Sequence, residues 1–205
     1  MAVELKAPLL RMVWPDEVAE IDLAPLQGLW SVEQYLALTN QTNRLIEYTD
    51  GLIEILPMPT DKHQAISLFL LLSLLAFVRP RGGTVAYAPL RLAVRPGKFR
   101  EPDLLLLLEA DDPRRQNEYW LGADLVAEIV SPDRPKRDTE EKPLDYAEAT
   151  IPEYWIVNPL TETVTVLVFR DDAYVEHGLF RRGQQAVSKL LEGFSVAVDS
   201  LLDAR

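Results

Sequence analysis

Cysteine is absent from the 205-residue sequence. That excludes disulfides, a thiolate zinc site and a cysteine nucleophile, and it fits a cytoplasmic protein. Histidine occurs only at His63 and His177, too far apart in the chain for a histidine-rich metal centre to be read from spacing. Positive charge is scarce: 21 Lys and Arg stand against 32 Asp and Glu, a net charge of -11. An acidic surface opposes the phosphate attraction behind nonspecific nucleic-acid binding, so any such site must be a local basic patch or rely on bound metal. The longest greasy run, 65–78, holds only apolar residues and serines. It stops short of the ~18 to 20 residues that cross a bilayer, so a buried helix and no membrane partner are expected. Glu4 and Pro8 fall where an export signal would place a basic region and an apolar stretch, and no such signal is visible. No repeat, low-complexity tract or glycine-rich phosphate loop occurs.

What is present is 48% hydrophobic content, enough for one substantial core. Residues 1–30, with Pro8, Pro15 and Pro25, read as an extended arm with one strand around 9–13, leaving 31–205 as a single domain. Ser31 and Gln34 form a capping box, with Trp30 and Tyr35 at the positions of a hydrophobic staple, for a helix ending near Thr39 or Asn40. Strands at 44–48 and 52–56 flank Asp50-Gly51, a dipeptide suited to a tight hairpin turn. A long helix over 61–79, apolar on nearly every face, is expected to lie against a sheet inside the protein. Further strands are predicted at 84–88, 90–94, 103–108, 125–130, 154–157, 163–169 and 174–176, with a polar helix over 133–149 and an apolar segment at 194–198. The fold class is α/β (α+β): a mixed β-sheet flanked by helices, with added β-hairpins. The continuous apolar runs at 103–108 and 125–130 mark its centre, since such strands are buried on both faces.

Carboxylates are costly at the ends of such strands unless paired or metal-bound, which singles out Asp103 and Glu128. Two converging carboxylates form the oxygen-rich site used by Mg2+ or Mn2+, with waters and substrate phosphate completing the octahedron. Lys142 is the candidate cation. The spacing of Asp138, Lys142 and Tyr146 places all three on one helix face. Arg134, Lys136 and Arg137 form the compact basic cluster nearest Glu128, suited to a phosphate backbone.

These residues lead to a resemblance. Pro102-Asp103, Glu128-Ile129-Val130-Ser131-Pro132, Arg137-Asp138 with Lys142 and Tyr146, and Pro152-Glu153-Tyr154-Trp155-Ile156-Val157-Asn158-Pro159 resemble the Uma-two family of restriction-endonuclease-like bacterial proteins, in the PD-(D/E)XK nuclease superfamily. Glu47, Asp50-Gly51, Met58-Pro59 and His63 extend the likeness from about 31 to 198. The resemblance implies a restriction-endonuclease-like fold, Asp103 and Glu128 as ligands of a divalent cation, and Glu47 as a further member of the site. The superfamily's usual lysine position is Val130 here, so the resemblance moves that role to Lys142. Three departures stand out. Pro143 would break or kink the helix unless it lies in the first turn, Thr150 stands where a glycine often ends this helix, and Asn158 replaces a frequent aspartate.

Plainer roles exist for each residue. Asp103 could be a turn residue after Pro102, and Lys142 could pair only with Asp138 on a solvated face. His63 could serve a helix N-terminus or bond a site carboxylate. Tyr146 reads as packing with its hydroxyl at the site rim, Tyr154 and Trp155 as core or interface aromatics, and the basic cluster as solvated charge. The expected function is metal-dependent DNA endonuclease, with homodimerisation plausible because two strands are cut. The alternative is a catalytically inactive nuclease-fold binding or assembly module; a hydrolase of small phosphorylated substrates ranks last.

Overall fold

A computed structural model of the chain describes residues 9–14 and 17–205. In chain order the strands are β1 (Leu9–Trp14), β2 (Glu17–Asp22), β3 (Ile46–Thr49), β4 (Leu52–Ile55), β5 (Thr84–Tyr87), β6 (Arg91–Arg95), β7 (Lys98–Arg100) and β8 (Leu104–Leu107). They continue as β9 (Tyr119–Trp120), β10 (Leu125–Ile129), β11 (Glu153–Asn158), β12 (Thr163–Arg170), β13 (Ala173–Arg181), β14 (Gln185–Val187) and β15 (Ser195–Ala197). The α-helices are α1 (Val32–Thr39), α2 (Asp61–Val78), α3 (Lys142–Glu148) and α4 (Val198–Leu202). The chain forms two compact units. The smaller takes in the described residues up to Met58 together with Gly97–Phe99; the larger comprises Pro59–Pro96 and Arg100–Arg205.

In the smaller unit the sequence acts locally. The strand expected near 9–13 is β1, paired antiparallel with β2; the rest of the expected arm at 1–8 and 15–16 lies outside the described residues. Ser31 and Gln34 satisfy each other's backbone N–H at 2.9 and 3.2 Å and start α1. Asp50 and Gly51 take φ of 46° and 88°, the two positive values that a type I′ turn needs, and close the β3–β4 hairpin. A Cβ on Gly51 would meet the Gly28 carbonyl oxygen at 2.6 Å, so glycine is required there sterically as well.

The larger unit is built on a mixed sheet in the order β13-β12-β11-β10-β8-β5. Its one parallel pair, β10 with β11, needs a crossover, which the segment containing α3 supplies. The four leucines of β8 are wholly buried because the sheet is covered on both faces. Leu104 and Leu106 pack into the core with Ile66, Leu70 and Leu74 of α2. Leu105 and Leu107 pack with Val126, Tyr146 and Tyr154 on the other side.

The larger unit also departs from sequence expectation. The segment Asp61–Arg81 is in fact long and apolar enough to cross a membrane by length and composition. In this fold α2 is one-sided. Its Ile66, Leu70, Leu74 and Val78 are buried, while Leu68 and Leu72 are exposed. The helix expected over 133–149 runs over 135–148, but with a π-helical turn, Arg137–Glu141, set before α3. β13 runs for nine residues, well past the expected 174–176; as an edge strand it carries Glu176 and His177 in water at little cost.

Candidate active site

Strand register brings the two acids together. Leu104 of β8 pairs with Ala127 of β10 in an antiparallel ladder, so the preceding Asp103 comes level with Glu128. Paired positions share a face, and a slip of one residue would separate them. The Ile129 N–H donates to Asp103 Oδ2 at 2.8 Å, and the Asp103 N–H approaches Glu128 Oε2 at 3.4 Å. Asp103 is thus held by the ladder and is no mere turn residue.

Lys142 reaches the same place from the crossover. Its ammonium lies 2.8 Å from Glu128 Oε1 and 2.9 Å from Asp138 Oδ1, with all three side chains at most 8% exposed. The solvated-pair reading is therefore excluded. Tyr146 donates its hydroxyl to the same Glu128 oxygen, and its ring meets Tyr154 edge-on at 5.0 Å. The packing role expected from the sequence holds, but the hydroxyl is buried on Glu128 inside the site instead of standing at its rim.

Pro143 falls in the first turn of α3, where a missing N–H is tolerated. The preceding turn is π-helical: the Lys142 N–H donates to Arg137 O, five residues back. In that register the Asp138 carbonyl would bond the N–H of residue 143, which proline lacks. The Tyr154 hydroxyl donates to it instead, at 2.8 Å. Tyr154 thus completes the turn that aims Lys142, a role its apolar neighbours did not reveal.

His63 follows the N-cap Thr60 of α2: its N–H donates to Thr60 Oγ1, and its Nε2 lies 3.1 Å from Asp103 Oδ2. Both roles considered from sequence are filled by one residue. Burial alone would push His63 down, but the hydrogen bond and charge of Asp103, with the charges of Glu128 and Asp138, outweigh it and hold His63 above its ordinary value. Burial likewise opposes ionisation of Asp103, and His63, Lys142 and the Ile129 N–H outweigh it, so Asp103 stays below the usual range. Glu128 goes the other way. Burial and the like charges of Asp103 and Asp138 push it up to about 8 despite Lys142.

Two buried acids on Lys142, with the part-buried Asp103 beside Glu128, are over-supplied with negative charge, and their oxygens are the hard donors that magnesium or manganese takes. Asp103 Oδ1 has no hydrogen bond among the described residues. Among those residues no three His, Cys, Asp or Glu side chains form an all-protein cage. The donor set fits a cation held by two carboxylates with water and phosphate completing its shell.

The other expected residues each sit in their own element. Glu47 is buried on β3 of the smaller unit, opposite Glu54 across the hairpin. Arg134, Lys136 and Arg137 do not share one surface: Arg137 is buried, while Arg134 and Lys136 are exposed beside Glu141 and Glu140 at 3.8 and 3.5 Å. Asn158 forms a turn, its Oδ1 accepting from the N–H groups of Leu160 and Thr161. Thr150 sits at φ 53° as the left-handed residue that ends α3, with Ile151 N–H on Tyr146 O and its own N–H on Ala147 O. Sequence reasoning gave no role to Glu153, which is wholly buried. It accepts from Trp155 Nε1, Ser188 Oγ and the Lys189 and Leu190 N–H groups at 2.6 to 2.7 Å, tying the 188–190 loop to β11.

A family model, Uma2, described as "Putative restriction endonuclease", matches residues 32–199. The chain belongs to the Uma2 family. No curated protein matches it. Among solved structures it is similar to a putative nuclease belonging to DUF820 from Anabaena variabilis ATCC 29413, with a TM-score of 0.65 and 21% identity over 82% of this chain and 96% of that one. At that identity the likeness shows the fold, a mixed α/β architecture shared with that protein.

Proposed function

We propose that this chain is a metal-dependent DNA endonuclease hydrolysing phosphodiester bonds at Asp103, Glu128 and Lys142. The observation that carries the reading is the buried contact of Lys142 with Glu128 at 2.8 Å, beside Asp103. Desolvating three acids and a lysine is expensive, and apolar residues would fill the same space more stably. Such an arrangement is the mark of a site kept for chemistry.

Asp103 and Glu128 would hold the Mg2+ or Mn2+ ion, which when bound polarises the phosphodiester and lowers the pKa of an attacking water. Lys142 offers its ammonium to the charge that develops on the phosphate oxygens. Asp138 and Tyr146 fix Lys142 and Glu128, and His63 fixes Asp103. Arg134 and Lys136, exposed near the crossover, are the side chains we assign to the DNA backbone.

The test is incubation of duplex and single-stranded DNA with Mg2+ or Mn2+. Cleavage is expected, with loss on chelation and in both Asp103→Ala and Glu128→Ala; cleavage surviving either substitution rejects these roles. Glu47→Ala tests in the same assay whether that acid takes part.

A second reading, a nuclease-fold binding or assembly module without catalysis, draws support from the basic cluster, whose Arg137 is buried and whose other members face acids. It expects cation binding with no turnover on any nucleic acid.

A further inference from the structure

Along α2 and its C-cap residue Arg79, Asp61, Ala65, Leu68, Leu72, Leu75 and Arg79 recur at alternating intervals of four and three, the spacing of a coiled-coil seam. At 3.6 residues per turn this stripe lies opposite the buried Ile66, Leu70 and Leu74. Leu68 and Leu72 at its middle are 54% and 56% exposed, and Asp61 and Arg79 at its ends are exposed too. Neither Asp61 nor Arg79 forms an ion pair among the described residues.

The stripe is its own complement when reversed. About a two-fold axis at residue 70, Leu68 meets Leu72, Ala65 meets Leu75, small against large, and Asp61 meets Arg79. A parallel pairing would instead set like charges against each other. The antiparallel one also places each helix N-terminus beside the partner's C-terminus, where the dipoles attract.

We propose that α2 is a dimerisation helix, packing antiparallel along this stripe against the α2 of a second copy of the chain. This does not rest on the nuclease reading. It has a consequence for that reading, because His63 opens α2: the two copies of His63 would lie ~21 Å apart along the helix axis, at 1.5 Å per residue. One dimer would then present two sites on the same assembly, an arrangement that favours cutting both strands of a duplex in one encounter.

The experiment is sedimentation equilibrium of the full chain. A species of twice 23.2 kDa is expected for the wild type. Leu68→Glu and Leu72→Glu, at exposed positions where folding checked by circular dichroism is unchanged, should each weaken the dimer at least ~10-fold. Asp61→Arg and Arg79→Asp should each weaken it, and the double variant should restore it, since only an antiparallel register sets these two residues face to face. A monomer at up to ~100 µM, or a dimer indifferent to both leucines, overturns the proposal. So does a monomer that binds phosphatidylcholine and phosphatidylglycerol vesicles through Leu72, which would assign the stripe to a lipid surface.

Discussion

The Lys142 ammonium and the Glu128 carboxylate meet at 2.8 Å at a point where a strand and a crossover helix converge, and both are buried. Yet Glu128 is pushed up to about 8, chiefly by burial, with Asp103 and Asp138 adding to the push and Lys142 opposing it. A carboxylate that holds its proton near neutrality beside a lysine is poised to release it to a stronger cation.

That release is measurable. At pH 7, binding of Mn2+ should expel close to one proton, seen as a dependence of calorimetric heat on the ionisation enthalpy of the buffer. Affinity should rise with pH up to about 8 and then level off. Heat independent of buffer would contradict the assignment of Glu128 as a ligand.

Stability without metal should follow the same groups. Glu128 binds a proton in the folded state, and not in the unfolded one, between its ordinary value and about 8, so stability falls as pH rises through that window. His63 is also held above its ordinary value, so its contribution is complete below that value and is lost as pH rises through the raised one. The two act in one direction. The apo protein should melt a few degrees lower at pH 8.5 than at pH 6, and saturating Mn2+ should narrow the difference.

Pro143 and Tyr154 should be coupled. Tyr154→Phe leaves the Asp138 carbonyl without its donor and should cost about 1 to 3 kcal/mol. Pro143→Ala supplies an N–H in the π-helical register, so the double variant should be destabilised by at least ~0.5 kcal/mol less than the sum of the singles in urea denaturation. Strict additivity would show that the tyrosine does not stand in for the missing donor.

Thr150→Gly should raise stability by about 1 kcal/mol, because a β-branched residue at φ 53° carries a strain that glycine does not. An unchanged or lowered urea midpoint would show that the Thr150 side chain compensates for the strain.

Glu153→Ala should cost ~3 kcal/mol or more, since it strands four donors, the buried Trp155 indole N–H and three part-buried ones. Metal affinity of the folded fraction should be unchanged, separating this structural acid from Glu128.

Much of this was written locally in the chain. Asp103 and Glu128 betray themselves as charges at the ends of apolar runs, and Ser31 and Asp50-Gly51 carry their own cap and turn geometry. Other features depend on distant neighbours. Composition shows that α2 is greasy, but only the sheet decides which stripe is buried. The π-helical turn answers Pro143 through Tyr154, which lies sixteen residues from the carbonyl it serves, and no local pattern links them. Arg137 looks like its exposed neighbours in sequence and is distinguished from them only by burial. β7 and β9, three and two residues long, are too short to show any period.

The central claim is tested most directly by single-turnover hydrolysis of duplex DNA in Mn2+ by the wild type, Asp103→Asn and Lys142→Gln. The account predicts chelator-sensitive cleavage by the wild type, slowed at least ~100-fold in both variants. Cleavage at the wild-type rate in either variant, or no cleavage by a wild type that binds Mn2+, would contradict it.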